Sequence, residues 1–265
     1  MASFNIFSAT KEGFQFVANN QKLIFRLGAI PILVKFICLV TSYHLGLEEN
    51  ALRKGLILFP AYLLEGYLIC TLLRIAIFRH EAIIQPPGAE SYEHYKRRAA
   101  DIQAGAIVYT LLKMIVAFIV GMLVVMAAPM QPEQSGEGGF TSFLVAVFFI
   151  GAMIWAFRLL WLYVPVTFGY SMRQYMHKIQ GFSFSFHLFS VWIMALLPFA
   201  LFFLVLSDVL KVFVVHNPDD PSGALIILLL ALQSVLEMML MIVASVAIGR
   251  GVMDVFNDTN NKSGY

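Results

Sequence analysis

The chain has 265 residues, of which 60 % are A, V, I, L, M, F, W, Y or C and only 13 % are charged, with a formal net charge of +2. A soluble domain carries about 25 % charged residues, and a chain of this size has no interior large enough to hide so much apolar surface. The 24 phenylalanines against 18 lysines and arginines exclude a disordered chain, a nucleic-acid module and a disulfide-stapled secreted domain, leaving a membrane protein.

The first 22 residues mix aromatic and polar side chains. Phe7, Phe14, Val17 and Ala18 share one helical face with Lys11, Asn19 and Lys22 elsewhere, so 1–22 is expected to be an amphipathic helix in the cytoplasmic interface. It lacks the basic stretch, apolar core and small-residue cleavage site of a signal peptide, so insertion is expected to use the first span. Crossing ~30 Å of hydrocarbon takes about 20 apolar residues. Runs of that kind lie at 23–43, 56–77, 105–126, 143–164, 188–210 and 224–248, which predicts a six-helix transmembrane domain over 23–248 and a cytoplasmic tail over 249–265. The runs are continuously apolar, not alternating, which excludes an outer-membrane barrel. The fold class is therefore all-α, a polytopic helical bundle.

Lysine and arginine set the direction. With the N-terminus inside, Lys11, Lys22, Arg26, Arg74, Arg79, Lys96, Arg97, Arg98, Arg173, Lys178, Arg250 and Lys262 face the cytoplasm, and only Arg53, Lys54 and Lys211 lie outside. This positive-inside bias predicts a cell inner-membrane protein with both termini cytoplasmic. The connections are short. Gln134 to Gly139 and Asn217 to Pro221 read as solvated turns, and Pro86-Pro87-Gly88 ends one structure before Ser91 caps the next. Aromatic and polar stretches at 7–22, 92–103 and 175–186 precede the odd-numbered spans, a pattern compatible with three helical hairpins, each introduced by an interfacial helix.

A lead-in over Asn20 to Pro31 feeding an apolar helix, and an even-numbered helix with Arg158 seven residues before Pro165, followed by a basic turn, resemble a group of uncharacterised six-helix bacterial inner-membrane proteins. That group is similar to the membrane domain of some glycerophosphodiester phosphodiesterases. The resemblance implies the bundle fold and no activity, since the phosphodiesterase head has no counterpart in these residues.

Lys35, Glu65, Lys113, Arg158 and Glu237 fall inside the spans, where a central charge costs about 2.5–3.5 kcal/mol unless it finds a partner, water or a neutral state. They are expected to form one buried polar network with Gln233. Spans one and two are joined by a short loop, which makes Lys35 and Glu65 the first expected ion pair. Gly28, Pro31, Lys35, Cys38 and Ser42 share one stripe, as do Thr110, Lys113, Ala117 and Gly121, and small residues beside a charge allow another helix to bury it. Glu237 has Gln233 and Ser234 nearby but no cation on its own turn, so it is the carboxylate expected to hold a proton. Trp155, Trp161 and Tyr163 flank Arg158, offering either ordinary packing or a face for its guanidinium.

Two readings of the network stand: a structural lock in a non-enzymatic scaffold, assembly factor or partner subunit, and a pathway in a small transporter or lipid-handling protein. His80-Glu81 lacks the second His of a zinc protease, Gly181 to Ser185 lacks the closing Gly of a nucleophile elbow, and Cys38 and Cys70 sit apart in apolar runs. His44, His187 and His216 lie at span ends, unsuited to haem. No enzymatic activity, metal or cofactor is expected. Lys96, Arg97 and Arg98 form the one basic cluster, with anionic lipid headgroups as the expected partner, alongside a membrane-protein partner or a second copy; nucleic acid is not expected.

Overall fold

The computed structural model describes residues 4–47, 50–78, 89–127, 139–179, 181–214 and 223–262. The turns expected at Gln134 to Gly138 and Asn217 to Pro221, Pro86-Pro87-Gly88, His80-Glu81 and His216 lie outside them. The described chain is all helix: α1 (Ile6–Asn19), α2 (Gln21–His44), α3 (Ala51–Ile57), α4 (Phe59–Phe78), α5 (Ala89–Ala127), α6 (Gly139–Phe157), a 3₁₀ turn (Arg158–Trp161), α7 (Tyr163–Thr167), α8 (Met172–Lys178), α9 (Phe182–Val214) and α10 (Gly223–Lys262). Six segments are long and apolar enough to cross a membrane: Gln21–His44, Phe59–Phe78, Tyr92–Met122, Ile150–Thr167, Phe182–Leu206 and Leu225–Phe256. The protein is a multi-pass membrane helical bundle.

Local chemistry sets the interruptions. Asn5 Oδ1 accepts from Ser8 N at 3.2 Å to start α1, and α1 gives way to α2 at Asn20, whose Nδ2 donates to the Phe16 carbonyl at 2.8 Å. The second span does not run unbroken from residue 56: α3 ends and α4 begins around Leu58, because Pro60 cannot donate to the Leu56 carbonyl and its ring crowds that group. Pro165 acts likewise on Trp161, so the fourth span is divided into α6, a 3₁₀ turn and α7. Ser171 and Gln174 form a capping box at α8 (3.2 and 3.4 Å), after a tight turn in which Gly169 takes φ +82°.

The lead-ins differ from one another. The second is continuous with its span: α5 starts at Ala89, before Ser91, and runs 39 residues. The third is split between α8 and the start of α9. The first is built into the bundle, with α1 packed along α10 and α9. Its most buried residues are Ala9, Thr10 and Gly13; of the face read from the sequence, Phe14 and Val17 pack against the core while Phe7 and Ala18 are exposed. A Cβ on Gly13 would stand 2.6 Å from the Val243 carbonyl, which is why glycine is needed there. Phe4 lies against Gly251 and Phe184, so the residues before α1, the start of α9 and the C-terminal part of α10 meet at one end of the bundle. Of the expected tail over 249–265, the described residues 249–262 continue the sixth span without a break, since α10 runs to Lys262 and Val252, Val255 and Phe256 are buried.

In the middle α4 is the most enclosed span, packed on α2, α5 and α10. Gly66 permits this: a Cβ there would stand 2.9 Å from Tyr109 Cδ1 and 3.0 Å from the Ala106 carbonyl. The expected stripe on α2 is the one turned inward, with Gly28, Pro31, Lys35 and Ser42 buried.

Candidate functional site: a charge ladder across the bundle

Four ionisable side chains from four helices alternate in sign across the interior. Lys35 Nζ (α2) lies 3.0 Å from Glu65 Oε2 (α4) and 2.9 Å from Glu237 Oε2 (α10), while Lys113 Nζ (α5) stands 4.0 Å from Glu65 Oε1. The order is Lys113, Glu65, Lys35, Glu237, with equal numbers of cations and carboxylates. Glu65 is fully buried, and its Oε1 accepts a 2.5 Å bond from the Tyr109 hydroxyl. At the α10 end Gln233 Nε2 donates to Glu237 Oε1 at 2.7 Å. A charge pair this deep needs its remaining lone pairs satisfied, and Tyr109 and Gln233 do that.

The two ends differ from the centre. Lys35 is 2 % exposed, whereas the Glu237 side chain is 45 % and the Lys113 side chain 31 % exposed. Glu237 opens onto a groove of about 460 Å³ between α9 and α10, walled by Leu196, Phe199, Ala200 and Phe203 on one side and Leu229, Leu236 and Leu240 on the other. Lys113 opens onto a separate aromatic pocket beside α5. The ladder thus connects two openings through a sealed middle.

The expected pair of Lys35 and Glu65 is present, and Gln233, Glu237 and Lys113 join it. Two expectations are corrected. Glu237 does have a dedicated cation: Lys35 reaches it from another helix, which spacing along α10 alone cannot reveal, so it is salt-bridged and not the lone carboxylate expected to hold a proton. Arg158 does not join the ladder. Its Nη1 donates to the Ile179 carbonyl at 2.5 Å, where α8 has ended, and its guanidinium lies 4.2 Å from the Trp155 ring centre. Burial pushes the Tyr175 hydroxyl well above the usual tyrosine range, against the opposing effect of Arg158, so Tyr175 stays protonated and donates to the Arg158 carbonyl at 3.4 Å.

Tyr109 escaped the sequence reading, although it lies four residues before Lys113 and so on its helical face. So did a clamp nearer the chain ends, in which Arg74 Nη1 binds Asp101 Oδ2 at 3.1 Å and the Thr167 carbonyl at 2.8 Å and joins α4, α5 and α7. In the sequence Arg74 counts only toward the cytoplasmic charge bias. In the basic cluster Lys96 and Arg97 are exposed, while Arg98 is partly covered and its Nε donates to the His94 carbonyl at 3.2 Å. Among the described residues no three His, Cys, Asp or Glu side chains come together as a metal site requires.

Comparison of the chain with protein-family models, curated proteins and solved structures found no match.

Proposed function

We propose that the protein is a non-enzymatic scaffold, assembly factor or partner subunit of a cell inner membrane, with the ladder as the brace that holds its helices in register. One observation carries this reading: every charge in the ladder faces a charge of opposite sign, and the central pair is sealed from both openings. Such an arrangement balances desolvation with pairing and fixes which helices meet, a role buried ion networks serve in other bundles. The lysine and arginine bias supports cytoplasmic termini, and the common end shared by Phe4 and Gly251 is in keeping with it. Exposed Lys96 and Arg97 suit contact with anionic headgroups, each contributing about 1 kcal/mol near the surface. The layout resemblance to uncharacterised six-helix inner-membrane proteins agrees with this reading.

A transporter or lipid-handling role is the second reading, favoured by the half-exposed Glu237 in its lateral groove. Replacing Lys35, Glu65, Lys113 and Glu237 together by Met, Leu, Met and Leu, which leaves no member of the ladder unpaired, separates the two. A quadruple variant that is abundant in the membrane and restores growth to a strain lacking the protein supports the brace. An equally abundant variant that fails to restore growth overturns it in favour of solute or lipid handling.

A further inference from the structure

The ladder does not account for everything around Lys113. Its ammonium has a carboxylate only at 4.0 Å and, among the described residues, no acceptor at hydrogen-bond distance. Its other neighbours are aromatic faces, Tyr109 at 5.5 Å and Tyr62 at 5.9 Å. Glu65 Oε1, the oxygen it approaches, already accepts the short bond from Tyr109. Lys113 therefore retains donor capacity, and it lines a pocket of about 220 Å³.

The rest of that pocket is apolar and largely flat-sided. Phe157, Trp161, Trp192, Tyr109 and Tyr163 supply the rings, from α5, α6, α7, α9 and the 3₁₀ turn. Trp161 is buried in this wall, and its Nε1 has no hydrogen-bond acceptor. The Tyr163 hydroxyl is already paired with Ser245 Oγ at 2.7 Å. The pocket thus offers one donor in want of an acceptor, the Lys113 ammonium.

We infer that this pocket binds the ring of a membrane-soluble quinone-type molecule, with Lys113 donating to a ring carbonyl and the aromatic side chains covering its faces. Size fits one ring: an apolar cavity of about 150 Å³ accommodates benzene, and carbonyl substituents need somewhat more. Charge favours a neutral acceptor. The two lysines are already balanced by Glu65 and Glu237, so an added carboxylate would leave an uncompensated negative charge inside the membrane, whereas a carbonyl satisfies Lys113 without adding one. Aromatic walls suit a flat ring better than a flexible acyl chain. The site lies within the spans, so the ligand must reach it from the bilayer.

The test is titration of the full-length protein in lipid nanodiscs with decylubiquinone, read by quenching of tryptophan fluorescence, since two of the three tryptophans line the pocket. Saturation at one ring per chain is expected. Lys113→Met should weaken it by about tenfold, as loss of one charged hydrogen bond does, and Lys113→Gln, which keeps an N–H donor, should recover part of the affinity. Glu65 keeps Lys35 and Tyr109 in both variants, and membrane abundance and thermal unfolding report that they fold. Val116→Phe, which fills the pocket without adding a tryptophan, should abolish saturation, whereas Ala200→Phe in the separate groove should leave it intact. Quenching that never saturates, that is unchanged in Lys113→Met and Val116→Phe, or that is removed by Ala200→Phe instead, would overturn the inference. Displacement of the quinone by oleate at lower concentration would overturn the neutral-acceptor assignment in favour of a carboxylate.

Discussion

Two buried cations in this bundle are handled in opposite ways. Lys35 sits between two carboxylates from other helices, and its position is held by charge. Arg158 has no carboxylate partner among its described contacts; a backbone carbonyl at the end of α8 and the face of Trp155 accommodate it, together with a break in its own helix. The difference follows from side-chain chemistry. A lysine ammonium is a compact point charge that pairs with carboxylates from several directions, while a guanidinium is planar and less strongly hydrated and can stack while it hydrogen-bonds. Lys35 therefore links transmembrane helices to one another, whereas Arg158 ties the broken end of the fourth span to the α8 segment after it.

The sharpest way to break the comparison is Lys35→Met. It strands Glu65 and Glu237 together with only the more distant Lys113 for balance, and should destabilise by about 3–5 kcal/mol, against a much smaller loss when Glu65→Leu, Glu237→Leu and Lys113→Met are added so that no charge is left unpaired. Thermal unfolding in mild detergent measures both. A single variant as stable as the quadruple would mean the ladder carries no net pairing.

Arg158→Met should cost less, about 2–4 kcal/mol, from the charged hydrogen bond to Ile179 and the lost contact with Trp155. Because Arg158 shares no partner with Lys35, the two losses should add to within about 0.5 kcal/mol. Strong coupling in a double-variant measurement would put Arg158 back into the ladder. Gly13→Ala probes neither cation but the helix that closes the bundle on the α10 side. The added methyl meets the Val243 carbonyl, and the overpacking should cost about 1–3 kcal/mol and expose α1 to limited proteolysis before the spans unfold.

Much of this was legible in the sequence because membranes impose long apolar periods and make inward charges conspicuous. The six spans follow from hydropathy, and Lys35 pairs with Glu65 because a short connection makes their helices neighbours. What stayed hidden depends on helices far apart in the chain. The cation for Glu237 comes from about 200 residues away, and nothing on α10 announces it. Arg158 looked like a member of the ladder because depth alone was counted, while the helix break at Pro165 that redirects it acts through local geometry. The packed face of α1 is legible only in part: Phe14 and Val17 pack on the core, but the closest contacts use Ala9, Thr10 and Gly13, small residues that a search for a hydrophobic face passes over.

The smallest expected effect belongs to Glu237→Gln, and it tests whether the exposed end of the ladder is as structural as its centre. Lys35 keeps Glu65 at 3.0 Å, and a glutamine oxygen can still accept from Lys35 in place of the carboxylate. What is lost is one unit of charge at a side chain 45 % exposed on the groove between α9 and α10. Individual hydrogen bonds within membranes average about 0.6 kcal/mol, so a loss near 1 kcal/mol or less is expected, far below that of Lys35→Met. Membrane abundance should then be unchanged, which makes this variant suitable for separating stability from activity. If growth of a strain dependent on the protein is also unchanged, Glu237 serves the fold and its charge is dispensable. If abundance is normal but growth fails, the carboxylate acts on something entering the groove between α9 and α10, and the asymmetry of the ladder between sealed centre and open end is functional.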